Sequence, residues 1–287
     1  MTAAISETPG ADARLPDESA ILPLASRENF TVASILLGRE QRTHLTAVYG
    51  FARLVDQLGD EVEGDRVEIL DDFEQDVHRV FDGKPQHPLL QRLVPTVRAC
   101  TMPREPFLRL VEANRRDQHT STYDTFDELL GYCDLSANPV GELVLYVFGA
   151  ATQDRIALSD RVCTGLQLVE HWQDVGEDFR RGRIYLPRED RDRFGVAADD
   201  LGASTARAPL RQLLAFEVRR ARDLLDEGAP LIGHLRGRAR FAVAGYVGGG
   251  RAALDAIVDA DFDVLRGAPR ATRTRCLRRT LAALRPS

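Results

Sequence analysis

The sequence predicts an all-α protein on three observations. Apolar residues recur at a helical period over nearly the whole chain from about Asn29 onward, period-two alternation is nearly absent, and breaks bearing glycine or proline separate the periodic stretches. Residues 1–26, rich in Ala, Pro, Asp, Glu and Ser without periodicity, read as a disordered tail. The first helical stripe is Leu45, Val48, Ala52 and Val55, and the second is Ile69, Phe73, Val77 and Val80. A third amphipathic stretch carries Leu210, Leu213, Leu214, Glu217, Ala221, Leu224 and Leu225. Breaks are expected near Gly83-Lys84-Pro85, Met102-Pro103, Asn138-Pro139, Pro187, Gly202 and Gly228. Only Ile184-Tyr185-Leu186 reads as extended, and Pro187 ends it. The simplest architecture is one domain of roughly eight to ten helices.

At 287 residues the chain can bury a substantial core, and 44% apolar with 29% charged residues is ordinary for a globular protein. A net charge of −6 argues against general nucleic-acid binding. All but one of the 38 basic residues are arginine, the exception being Lys84 in an expected turn. That excludes most lysine chemistry and leaves arginine, a bidentate ligand, to hold anions. Cys100, Cys133, Cys163 and Cys276 show no CxxC spacing, and a disulfide framework is not expected. No window of 18 uninterrupted apolar residues and no signal-peptide pattern is present, so the expected location is the cytoplasm.

Beyond Asp263 there is no acidic residue, yet there are seven arginines, and Leu277, Leu281 and Leu284 sit among them at helical spacing. Such a segment is either a solvated helix end or a surface able to lie on an anionic membrane.

Two aspartates four apart on a helix share a face and can hold Mg²⁺ together with phosphate oxygens. The spacing occurs five times, at 56/60, 72/76, 174/178, 255/259 and 259/263, so context must separate the pairs. Asp72 and Asp76 oppose the apolar stripe of their helix, and the 255/259/263 series opposes Leu254, Ile257 and Val258, so both read as solvated faces. Asp56 and Asp60 instead continue a stripe from Tyr49 and Arg53 that borders the apolar face. Asp174 and Asp178 continue one from Glu170, with Arg180, Arg181 and Arg183 directly after. Inward carboxylates are expensive unless paired or metal-bound. Two such pairs make either a metal–diphosphate site or a structural ion-pair network.

ENFTVAS (28–34), AVYGFARLVDQLGDE (47–61), ELLGYCDLSANPVGELVL (128–145), LQLVEHWQDVGEDFRRGRIYLP (166–187) and GRARFAVAGYVGGGRAALDAI (237–257) resemble the squalene/phytoene synthase family. The likeness is to its HpnC-type branch, the squalene or hydroxysqualene synthases of hopanoid biosynthesis. It covers about residues 27–265, leaving 266–287 as a basic tail. It implies a single-domain, terpenoid-synthase-type helical bundle with a central cavity. It also implies Mg²⁺ held by Asp56, Asp60, Asp174 and Asp178, diphosphate held by Arg53 and Arg183, catalytic parts for Tyr49, Arg53 and Tyr132, and Tyr132 near the reacting carbons. Phe30, Phe51 and Tyr146 are further candidates for the cavity wall, each with core packing as the alternative.

Departures from the family pattern concern charge. Glu170 stands where Asn is common, Gln173 where Arg is often found, Thr122 where the branch often has Arg, and Glu142 where Arg usually follows SANPVG. Glu170 is read as a further metal ligand, since it supplies the oxygen that Asn would.

The implied reaction ionises presqualene diphosphate and ends in hydroxysqualene, or squalene, with release of diphosphate. NADPH is not expected: no GxGxxG follows a strand, and the glycines of AGYVGGGR (244–251) read as packing positions. A partner enzyme would supply presqualene diphosphate. The alternatives are head-to-head condensation of two prenyl diphosphates such as farnesyl diphosphate, or a non-catalytic prenyl-lipid-binding subunit.

Overall fold

A computed structural model describes residues 38–285, so the expected N-terminal tail and Phe30 lie outside the described residues. Among those described there are thirteen α-helices, one 3₁₀ turn and no β-sheet. They are α1 (Arg39–Asp60), α2 (Arg66–Asp82), α3 (Pro88–Cys100), α4 (Glu105–Asp117), α5 (Phe126–Ser136), α6 (Asn138–Val147), α7 (Gln153–Gln173), α8 (Val175–Arg180), α9 (Arg188–Phe194), α10 (Ala208–Gly228), α11 (Leu231–His234), α12 (Gly237–Asp259) and α13 (Arg273–Ala283). The count exceeds the expectation because α8, α9 and α11 are too short to show a period.

Local chemistry sets the helix ends. Asp65 accepts from the amides of Val67 and Glu68 at the start of α2, and Gly83, at φ 76°, ends it in the left-handed region. Thr125, Thr152 and Thr272 cap α5, α7 and α13 in the same way as Asp65. The extended stretch exists as one parallel bridge, Thr122 to Ile184, with the Ile184 amide donating to the Ser121 carbonyl at 2.8 Å.

Two apolar cores carry the bundle. One joins α1, α2, α3, α4 and α6 around Leu54, Leu58, Leu70, Leu90 and Phe107. The other joins α5, α7, α10 and α12 around Trp172, Leu213, Leu214, Ala221 and Leu254. Helix α12 is long and apolar enough to cross a membrane by composition alone, but Ala244, Val247, Leu254 and Ile257 are fully buried in the second core. Two of its glycines act in packing, while Gly245 and Gly249 face open space: a Cβ on Gly248 would lie within 2.5 Å of the Thr280 amide, where α13 seats closely, and one on Gly250 would lie 2.7 Å from Leu166.

Of the two expected solvated faces, Asp72 and Asp259 are exposed as expected, but their partners are covered. Asp76 is buried and accepts from the amides of Gln86 at 2.7 Å and His87 at 2.8 Å, fastening α2 to the start of α3. Asp263 is buried too and accepts from Thr205 and from the Ala206 amide. Asp255 lies between Arg222 and Arg279, and Asp259 pairs with Arg275. The apolar pattern misplaced Asp76, Asp255 and Asp263 because arginines and free loop amides can bury a carboxylate. The last segment also differs from a tail, since α13 packs along α12.

Glu217 on α10 is fully buried beside Asp190, and Arg220 serves both carboxylates. Burial pushes the Glu217 carboxyl up to about 8. The fold thus favours the protonated form more than the unfolded chain does. Ionisation therefore costs stability as pH rises from the ordinary carboxyl range, and the loss is complete above the folded value. Between about pH 5 and about pH 8, the melting temperature of the wild type should fall by at least ~4 °C more than that of Glu217→Gln, by calorimetry at each pH.

Candidate functional site

Helix α1 delivers four of the predicted side chains. Tyr49 is buried, Arg53 is half-buried, and Asp56 and Asp60 open to solvent. The Nε of Arg53 is buried without a hydrogen-bond partner, and its terminal nitrogen lies 3.9 Å from Asp56. A buried donor left unmade is costly unless something anionic completes it. Half of the Asp56 side chain is open to water, but protein surrounds it on the other sides. Burial raises its pKa to about 6 against the pull of Arg53 and Asn114.

Asn114 reaches Asp56 because Gly59 has no side chain: a Cβ there would lie 2.3 Å from the Asn114 Oδ1. One turn on, Gln118 donates to the Gly59 carbonyl at 2.9 Å. Between them in sequence stands Asp117, which the sequence reading missed. Its Oδ2 accepts from the Tyr132 hydroxyl at 2.8 Å, and its Oδ1 is buried without a partner. Burial raises Asp117 to about 6, against the hydrogen bond from Tyr132 and the charge of Arg183.

The second pair sits at a break. Helix α7 ends at Asp174, whose carbonyl accepts from the Asp178 amide at 2.9 Å, so the pair stays one turn apart. Burial and then the charge of Asp174 raise Asp178 to about 7. Asp174 itself is raised by burial and by Glu177. Glu170 lies one turn earlier and is exposed. Arg181 is taken up by Glu177 at 2.7 Å.

Arg183 joins the two halves. It donates to Asp60 at 2.7 Å, across 123 residues of sequence, and its charge also bears on Asp178 and Asp117. Below it His171 stacks on Tyr185 with ring centroids 3.6 Å apart, and Tyr123 and Tyr132 complete the cluster. Burial holds His171 neutral, its pKa pushed down to about 3.

The enclosed space among His171, Asp178, Arg183 and Tyr185 measures about 10 Å³, room for about one water. An open groove of about 470 Å³ lies beyond Asp60, lined by residues 62–67 and Gln118. Phe51 belongs to the first core, edge-on to Phe107 at 5.0 Å, and Tyr146 packs on the same core. Glu142 is matched by Arg109, so its negative charge is answered locally.

Among the described residues no three His, Cys, Asp or Glu side chains are gathered as a ready-made metal site. Two separate carboxylate pairs, in which burial raises Asp56, Asp174 and Asp178, nonetheless suit Mg²⁺, which takes one or two carboxylates and fills its shell with phosphate and water. Tyr123, His171 and Tyr185 lie within or beside motifs that carried the resemblance. Asp117 had no such signal, being one aspartate after two arginines at a helix end.

The family model described as squalene/phytoene synthase matches residues 24–276. A hydroxysqualene synthase from Zymomonas mobilis is 36% identical over 206 residues, covering 70% of this chain and 69% of that protein. A phytoene synthase from Mycobacterium tuberculosis is 33% identical over 225 residues, covering 77% and 74%. The crystal structure of squalene synthase HpnC from Alicyclobacillus acidocaldarius is 43% identical with a TM-score of 0.80, covering 85% of this chain and 94% of that one. A match of this extent, on an all-helical frame, makes the chain a member of the squalene/phytoene synthase family.

Proposed function

We propose that the protein converts presqualene diphosphate to hydroxysqualene and diphosphate. The observation that supports this reading best is the Asp60–Arg183 contact, which brings a phosphate-type guanidinium to the first aspartate pair while its charge bears on Asp178 of the second. Asp56, Asp60, Asp174 and Asp178, with Glu170 beside the second pair, would hold Mg²⁺, which supplies charge neutralisation of the leaving diphosphate. Arg53, with its unpartnered Nε, and Arg183, released from Asp60, grip diphosphate oxygens. The carbon–oxygen bond breaks with its electron pair leaving on the diphosphate. Tyr132 and Tyr185 offer aromatic faces to the resulting cation, and neutral His171 adds no opposing charge. Water bonds to the cation, and its surplus proton passes to a carboxylate; Asp117 Oδ1 is free to take it. No hydride enters, so NADPH is not required. The small space beside Asp178 must open to admit a prenyl chain.

This reading places the enzyme in the cytoplasm, served by a separate presqualene diphosphate synthase and touching the membrane peripherally. A second reading, head-to-head condensation of two prenyl diphosphates, is favoured by the relatives named phytoene synthase. Pure protein with Mg²⁺ is given presqualene or farnesyl diphosphate, with and without NADPH, and the lipid product is identified. Hydroxysqualene from presqualene diphosphate, whether or not NADPH is present, is the expected outcome. Consumption of farnesyl diphosphate alone would favour the second reading, and turnover of neither would leave a lipid-binding subunit.

A further inference from the structure

The outer face of α12 and α13 is unused by the chemistry above. The large apolar side chains that stand exposed among the described residues are Phe241, Val258, Leu277 and Leu281, and all belong to these two helices. Leu277 is 60% exposed and Leu281 55%.

Helix α13 divides sharply. Its inner side fastens it to α12: Arg275 pairs with Asp259, Arg279 donates to Asp255 at 2.7 Å, and Thr280 closes on Gly248. Its outer side shows Arg273, Leu277, Arg278 and Leu281, with Arg285 following. Arg273, Arg278 and Arg285 have no carboxylate partner among the described residues, and no acidic residue follows Asp263 in the sequence. The inner ion pairs therefore fix an orientation that points leucines and unpaired guanidiniums outward together.

A second copy of the chain fits this face poorly, because a two-fold contact would set arginine against arginine. An anionic bilayer fits on both counts. Leucines enter the acyl boundary, and guanidiniums meet lipid phosphates. The segment joining α12 to α13 also reaches the candidate site: Gln173 donates to the Pro269 carbonyl, and the charge of Arg270 bears on Asp174.

We propose that α13 seats the protein on an anionic membrane surface, with Leu277 and Leu281 inserted and Arg273, Arg278 and Arg285 on lipid phosphates. This deepens the membrane contact of the proposed function but stands on exposure and charge. Vesicle binding is measured without substrate, so failure of either reading leaves the other standing.

The full chain is sedimented with vesicles of phosphatidylcholine alone, or with about one third phosphatidylglycerol, at low and high salt. Wild type is expected to bind the anionic vesicles, to ignore the neutral ones and to weaken with salt. Leu277→Ser/Leu281→Ser and, separately, Arg273→Gln/Arg278→Gln should each lose at least ~10-fold in partitioning, with unchanged melting curves. Arg161→Gln/Arg219→Gln, which removes the same charge elsewhere, should bind as wild type does. Absence of wild-type binding to anionic vesicles overturns the proposal, as does full binding by the leucine variant. A dimer in sedimentation velocity that the leucine variant turns into a monomer, without vesicle binding, would make the face a self-interface and overturn it too.

Discussion

Asp178→Asn should lower turnover of the diphosphate substrate by at least ~10³-fold, about 4 kcal/mol of transition-state stabilisation, while leaving the helical content unchanged. Asp178 sits where burial and Asp174 raise its pKa to about 7, against the charges of Arg181 and, more weakly, Arg183. A carboxylate kept in such surroundings is a strain on the fold unless a cation joins it. Removing its charge should therefore leave the melting temperature unchanged or raise it. The combination is diagnostic, because a merely structural aspartate would lose stability along with activity. Calorimetry and steady-state kinetics on the same preparation check it. Equal turnover by variant and wild type at saturating Mg²⁺ would remove Asp178 from the site.

Arg183→Gln should produce the second large effect. Arg183 donates to Asp60 at 2.7 Å while its charge favours the ionised forms of Asp178 and Asp117. Its loss should reduce kcat/KM by at least ~10²-fold and weaken inhibition by inorganic diphosphate at least ~10-fold. Arg183→Lys should recover little of either. An ammonium lacks the planar fork that donates two parallel hydrogen bonds to a pair of diphosphate oxygens. Full diphosphate affinity in Arg183→Gln would assign Arg183 to structure alone.

Much of this arrangement was visible in the residues. The stripes of α1, α2 and α10 and the breaks at Gly83, Met102, Asn138, Pro187, Gly202 and Gly228 needed only local periodicity and backbone sterics. Asp56 and Asp60 stood out because they border an apolar stripe. What escaped has a common cause: it depends on partners distant in sequence. Asp76 is buried because two amides of the next loop point at it, and Asp263 because Thr205 and Ala206 do. Asp117 matters through Tyr132 and Arg183, neither predictable from the RRDQ that surrounds it. The arginines of α13 looked like a tail because Asp255 and Asp259, which fasten it, seemed to face solvent.

The Asp60–Arg183 contact also bears on how the protein assembles. It closes a chain segment of 123 residues, and such closure is entropically slow and follows local helix formation. Helices can form, and each apolar core can collapse around its own members, before the two aspartate pairs meet. Recovery of diphosphate binding after dilution from denaturant should consequently trail the return of helical circular dichroism. A newly made chain would be compact before it could bind its substrate.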